Sequence, residues 1–211
     1  MKKFLLFVLV LFGALVLVGC KEKTPTDDDN SGKDNEQEFD KALSEQWNNF
    51  FAGKKIYLTT VGQSDVFSVN FMLESVGLTN GEDFTENDLL EASEVETGSV
   101  VIVVTGYSQK GVGGAGTNFE KEKQRANAFG TRAQNGEITV IALHIGGAER
   151  RGDGADPIIQ AIAPKANLLL VYKEGNKDNL FTNISTQYQV ELVLYSLPNK
   201  IVDAFRQLAG N

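Results

Sequence analysis

The sequence predicts a three-layer αβα fold of the α/β class, in which helices cover both faces of a mostly parallel sheet of five or six strands. Short runs rich in Val and Ile alternate with longer stretches of helical periodicity, and polar or glycine residues follow the runs. Strands that are apolar on both faces are typical of sheets with helices on both sides. Regular alternation of strand and helix predicts a doubly wound sheet.

The elements of this sheet can be placed in order along the chain. The predicted strands are residues 56–61, 100–104, 138–143, 168–172 and 190–195. The predicted helices are residues 65–76, 119–134, 155–163, 179–187 and 198–208. A short edge strand around Phe84 and a turn of helix near residues 88–92 complete a Rossmann-like sheet with the flavodoxin-like strand order 2-1-3-4-5.

Local signals add detail at two places. Thr117 and Glu120 have the spacing of a capping box at the start of the longest helix. Trp47, Phe50 and Phe51 precede the first strand and are predicted to pack against the sheet as core residues.

Residues 1–20 have the pattern of a bacterial lipoprotein signal peptide. Two lysines are followed by the apolar residues 4–18, and Gly19 precedes Cys20. The apolar run is shorter than the roughly 20 residues that span a bilayer, so a secretory signal is favoured over a membrane-spanning anchor. The last four residues, LVGC, resemble the lipobox, which implies cleavage before Cys20 and palmitate-type lipidation of its thiol. An incidental cysteine is the alternative.

The same pattern predicts the location and the domain organisation. The protein is expected to be lipid-anchored in the cell membrane and to face the extracytoplasmic side. Residues 21–38 contain no large apolar residue and are predicted to form a disordered tether. Residues 39–211 are predicted to form a single α/β domain.

Composition restricts the partners and the chemistry. The signal peptide holds two lysines and no acid, so the mature chain has 18 basic and 28 acidic residues and a formal net charge of −10. This charge argues against nucleic acid as a partner. Cys20 is the only cysteine, so no disulfide is expected inside the domain.

Polar residues collect where the predicted strands end. Gln63 and Ser64 follow the first strand, Ser108 and Lys110 follow the second long strand, and His144 ends the third. In open α/β sheets, ligands bind outside the carboxyl ends of the strands, where the strand order reverses. If the first and second long strands are neighbours at that point, Gln63, Ser64, Ser108 and Lys110 face one crevice.

A glycine-rich segment follows the second long strand. Gly111, Gly113 and Gly116 formally match G-x-G-x-x-G, but six polar or small residues separate the strand from Gly111, and the next strand ends in His144 rather than in an acid. No cofactor is predicted, because flavin and nicotinamide both lack a matching fingerprint. Two interpretations remain: the glycine N–H groups and Lys110 hold a carboxylate or phosphate, or the segment is a tight structural connection.

A second cluster surrounds the only histidine. It contains Gly146, Gly147, Arg150 and Arg151 after His144, and one histidine cannot assemble a His-based metal site, so no metal is predicted. The arginines either clamp an anion or pair with nearby acids as a structural network. We expect one of them to point inward and the other outward.

Three motifs in this order resemble an uncharacterised family of bacterial exported α/β proteins, a domain of unknown function. The motifs are Gly62-Gln63-Ser64, Ser108-x-Lys110-Gly-x-Gly113-x-Ala115-Gly116 and His144-x-Gly146-Gly147-x-x-Arg150-Arg151-Gly152. The resemblance covers residues 55–182. It implies the fold and the location of the site, but it implies no reaction.

The preferred hypothesis is a tethered binding protein for a small polar or anionic metabolite, serving an envelope transport or sensing protein. The first alternative is a hydrolase or transferase that uses His144 with a crevice serine, Ser108 foremost, although neither Ser64 nor Ser108 lies in a G-x-S-x-G elbow. The second is a structural interaction module of the envelope. Binding is favoured over catalysis.

Overall fold

The computed structural model describes residues 38–211, and a six-stranded sheet forms their centre. Its strands are β1 (Ile56–Val61), β2 (Phe84–Glu86), β3 (Val100–Thr105), β4 (Thr139–His144), β5 (Leu168–Tyr172) and β6 (Glu191–Tyr195). All neighbouring strands are parallel, in the order β2-β1-β3-β4-β5-β6. Residues 1–37, which hold the predicted signal peptide, Cys20 and all but the last tether residue, lie outside the described part.

Helices cover both faces of the sheet. They are α1 (Val66–Glu74), α2 (Gln109–Gly114), α3 (Phe119–Gln134), α4 (Asp156–Ile162), α5 (Leu180–Tyr188) and α6 (Ile201–Ala209). Helices α1 and α6 pack on one face, and α3, α4 and α5 pack on the other. The three-layer α/β fold and the predicted strand order are confirmed. None of the helices described between residues 38 and 211 has the length and hydrophobicity that a membrane span requires.

Strands β1 and β3 are buried along their whole length, because each face meets a helical layer. Val101 and Val103 of β3 pack towards α3, whereas Val100 and Ile102 pack towards α1 and α6. Fully burying one such side chain stabilises the fold by roughly 1.5–3 kcal/mol. Trp47 and Phe51 lie in the core on the α1 side, as predicted.

Three local predictions were wrong. The glycine-rich segment forms the short helix α2 rather than a loop, and a 3₁₀ turn occupies Ala92–Glu94 instead of residues 88–92. Asn118, not Thr117, caps α3, since Asn118 Oδ1 accepts a hydrogen bond from Lys121 N at 3.0 Å. Thr117 does not cap the helix, because its hydroxyl donates a hydrogen bond to the buried Glu122 Oε1 at 2.9 Å.

The strand order reverses between β1 and β3. The chain leaves β1 into α1 on one face and leaves β3 towards α3 on the other, so the two turns diverge at the carboxyl ends. This divergence is the place where a doubly wound sheet opens towards a ligand.

Candidate functional site

The turn after β1 is built on close contact with the turn after β3. Gly62 has φ +91°, and a Cβ on it would lie 1.7 Å from the carbonyl oxygen of Gly106. Only glycine fits this position, since both the backbone conformation and the space exclude a side chain. The carboxyl ends of β1 and β3 therefore meet backbone to backbone.

Ser64 lies inside this contact. Its side chain is 4% exposed, and its Oγ has no hydrogen-bond partner among residues 38–211. The hydroxyl points at Gly106, where a Cβ would lie 2.3 Å from it, while Ser64 N donates to Thr60 Oγ1 at 3.2 Å. A buried hydroxyl without a partner is costly, so Ser64 distinguishes this strand end from the others.

An ion pair lies beside the contact between the two turns. Asp65 Oδ2 lies 3.3 Å from Arg150 Nε, and the two side chains are 21% and 37% exposed. The pair runs over two glycines: a Cβ on Gly146 would lie 2.6 Å from Asp65 Oδ2, and one on Gly106 would lie 3.3 Å from Arg150 Cβ. We call Ser64, Asp65, Gly106, Gly146 and Arg150 the switch-point site, because they join the ends of β1, β3 and β4.

A buried ion pair beneath the site positions the turn after β1. Glu122 and Arg125 of α3 lie within the core, with Glu122 Oε2 2.9 Å from Arg125 Nη1. The same Oε2 accepts hydrogen bonds from Gly62 N at 2.8 Å and from Gln63 Nε2 at 3.3 Å. The carboxylate thus holds the backbone that presents Ser64.

Arg125 completes this arrangement through backbone oxygens. Its guanidinium donates to Thr60 O at 3.2 Å, to Asp88 O at 2.9 Å and to Leu90 O at 2.9 Å. These bonds satisfy the buried charge and join the segment after β2 to the end of β1. We term Glu122 and Arg125 the buried pair.

Gly111 adjoins this contact, since a Cβ on it would lie 2.3 Å from Gln63 O, whereas Lys110 and the later glycines of the segment lie apart from it. Gly111 N donates to Ser108 Oγ at 3.0 Å, and Val112 N to Ser108 O at 2.8 Å, so these amides are used inside α2. Lys110 is exposed and forms no ion pair with residues 38–211. Gly113 and Gly116 are also exposed, with open space where a Cβ would lie.

His144 is fully buried at the end of β4. Its ring nitrogens Nδ1 and Nε2 each lie 3.0 Å from a carbonyl oxygen, of Thr105 and Gly147 respectively. The backbone of Gly175 covers the ring, since a Cβ there would lie 2.3 Å from His144 Cδ2. Burial lowers the pKa of His144, because desolvation of the charged ring outweighs the two carbonyl contacts. Ser108 Oγ, for its part, caps α2.

The two neighbouring arginines have different surroundings. Arg151 is nearly buried and bridges Asp156 and Asp178, with Nε–Oδ1 at 2.6 Å and Nη2–Oδ2 at 2.7 Å. Its guanidinium also lies 5.6 Å from the ring of Phe181. Arg151 therefore belongs to a structural network between α4 and the start of α5, whereas Arg150 belongs to the switch-point site.

Other features of the described residues do not add to the site. Within residues 38–211, no group of three or more His, Cys, Asp and Glu side chains is placed to hold a metal ion. A cleft of about 470 Å³ lies between α3 and α4, and none of the sequence-predicted site residues lines it.

Asp65, Gly106 and the buried pair were not predicted as site residues. Asp65 directly follows Ser64 in the turn after a predicted strand, and this position could have indicated a site residue. It was instead assigned to the first turn of the predicted helix. The i,i+3 spacing of Glu122 and Arg125 is equally visible in sequence, but it does not separate a buried pair from an exposed one.

The comparisons with known proteins identify a family and nothing closer. A family model described as "Domain of unknown function (DUF6305)" matches residues 53–209. No curated protein and no solved structure matches the chain.

Proposed function

Because the chain belongs to the DUF6305 family, whose description names no activity, we propose a function from its own residues: a lipoprotein that binds a small polar or anionic ligand. Cys20 carries the lipid, residues 21–38 form the tether, and the α/β domain faces the extracytoplasmic side. The ligand is presented to, or received from, an envelope protein of transport or sensing.

The convergence of Ser64, Asp65 and Arg150 supports this proposal. An unpartnered buried hydroxyl, a carboxylate and a guanidinium meet over two glycines at the reversal of strand order. Ligands of open α/β sheets bind at this position. Lys110, exposed at the start of α2, adds positive charge on the β3 side.

The geometry favours binding over catalysis. The enzyme alternative needs His144 to reach a substrate beside a nucleophilic serine, but both of its ring nitrogens contact backbone carbonyls and the ring is buried. Ser108 Oγ is likewise engaged in capping α2. General acid–base catalysis requires a group within hydrogen-bond reach of the substrate.

A ligand screen tests the binding site. We expect one class among sugars, sugar phosphates, nucleotides, organic acids and amino acids to raise the melting temperature of the full chain in detergent, because a ligand that binds the folded state stabilises it by mass action. Arg150→Gln should remove the shift. Arg206→Gln, which alters an exposed arginine on α6, should leave it unchanged. A panel without any hit, or hits that persist in Arg150→Gln, would contradict the proposed site.

A second experiment tests the anchor. In cells fed radiolabelled palmitate, the wild-type chain should incorporate label and enter the detergent-rich phase on partitioning. Cys20→Ser should lose both properties, because the thiol that carries the acyl chain is gone. Label that persists in Cys20→Ser, or a wild-type chain without label, would refute lipidation at this residue.

A further inference from the structure

The Asp65–Arg150 pair has hydrogen-bonding atoms that have no partner among the described residues. It is joined through Arg150 Nε alone, and the terminal nitrogens Nη1 and Nη2 have no partner within residues 38–211. Asp65 Oδ2 is buried and lacks a hydrogen bond of normal geometry, as does Ser64 Oγ beside it. Ser64 Oγ and Asp65 Oδ2 are closed off from solvent, so the groups able to take a further partner are the Arg150 guanidinium and the accessible part of the Asp65 carboxylate, whose side chains are 37% and 21% exposed.

The opposite charges decide which ligand fits. A ligand with negative charge alone would approach Arg150 and meet the Asp65 carboxylate, whose Oδ2 is 3.3 Å from Arg150 Nε. A ligand with positive charge alone would meet the guanidinium in the same way. Like charges at such separations repel, and the partly buried position limits screening by water. A ligand that carries both charges meets an opposite charge with each of them.

The separation of the two charged groups restricts the spacing of the ligand charges. Asp65 Oδ2 and Arg150 Nε lie 3.3 Å apart. Glycine backbone packs against the inner side of the pair, since a Cβ on Gly146 would lie 2.6 Å from Asp65 Oδ2, so a ligand can approach only from the solvent side. Opposite charges on the same carbon atom or on neighbouring ones match a pair this close.

We propose, on the basis of the proposed function, that the switch-point site binds a small zwitterion of the α-amino acid class. The ligand carboxylate accepts hydrogen bonds from the planar guanidinium of Arg150, which suits two-point recognition. The ligand ammonium group donates to the carboxylate of Asp65.

Isothermal titration of the full chain in detergent tests this ligand class. The probes are glycine, L-alanine, acetate, inorganic phosphate and methylamine, each over the same millimolar range. The amino acids should bind saturably, and the three singly charged classes should not. Asp65→Asn and Arg150→Gln should each weaken amino-acid binding at least about tenfold, because the first removes the charge-assisted hydrogen bond to the ammonium group and the second removes those to the carboxylate. Arg206→Gln is the control and should bind as the wild type does.

The variants also predict a change of selectivity that loss of folding cannot imitate. Asp65→Asn removes the repelling carboxylate and should gain binding of acetate or phosphate. Arg150→Gln should gain binding of methylamine. If wild-type protein binds phosphate or acetate and Arg150→Gln abolishes it, the zwitterion inference is wrong while the proposed function stands. If none of the probes binds and the ligand screen is also negative, both fail and the pair is structural only.

Discussion

Glu122→Ala is expected to lower the free energy of unfolding by about 3–5 kcal/mol, because it leaves the Arg125 charge buried without its carboxylate partner. The same substitution removes the acceptor of Gly62 N and the partner of Thr117 Oγ1. Urea unfolding of the purified chain, followed by circular dichroism, measures the change.

The chain contains a matched control for this prediction. Asp203 and Arg206 form an ion pair with the same i,i+3 spacing, and both side chains are more than half exposed. Asp203→Ala should cost about 0–1 kcal/mol, since water and salt screen an exposed pair. Equal losses from Glu122→Ala and Asp203→Ala would show that burial does not distinguish the two pairs.

A double substitution separates charge from packing at the buried pair. Glu122→Leu with Arg125→Met removes both charges, and such replacements are often neutral where only the ion pair is lost. Here the double variant should remain destabilised, because the oxygens of Thr60, Asp88 and Leu90 lose the donors that Arg125 supplied. Wild-type stability of this variant would mean that those bonds contribute little.

Gly62→Ala is expected to cost about 3–5 kcal/mol. Roughly 1–2 kcal/mol comes from placing an alanine at positive φ, and the rest comes from overlap with Gly106 O, 1.7 Å from the added Cβ. The overlap is with backbone, so no side-chain rotation relieves it and the ends of β1 and β3 must separate. Thermal and urea unfolding should both show the loss.

Gly77→Ala measures the cost of backbone conformation without the cost of steric overlap. Gly77 has φ +87°, close to that of Gly62, but open space surrounds the position of its Cβ. This variant should therefore lose only about 1–2 kcal/mol from backbone conformation. If Gly62→Ala is no more damaging than Gly77→Ala, the contact between the two turns is not tight.

Much of the fold was predictable because its signals are local. Strands β1 and β3 are fully buried and β3 is apolar at every position but its last, which happens where helices cover both faces of a sheet. The glycine-rich segment misled because Gly111, Gly113 and Gly116 suggested a loop, whereas the capping hydroxyl of Ser108 allowed a helical turn.

The location of the candidate site was predictable from the sequence, but the residues that form it were not. The rule that ligands bind at the carboxyl ends of strands located the turns that hold Ser64 and Arg150. Their neighbours were not separable in sequence: Arg151 joins a structural network, and His144 is buried against backbone carbonyls. Which of two adjacent arginines turns towards the crevice depends on acids that lie far apart along the chain.

The amino-acid sequence by itself determined the layers, the strand order and the edge of the sheet where polar residues collect. The layers and the edge follow from hydrophobic periodicity, which acts over a few residues, and the strand order follows the usual pattern of alternating strands and helices in doubly wound sheets. Only the tertiary structure decided that Asp65 pairs with Arg150, 85 residues away, and that Glu122 holds the backbone of Gly62. Burial and charge pairing are set by the meeting of distant segments, so no local pattern records them.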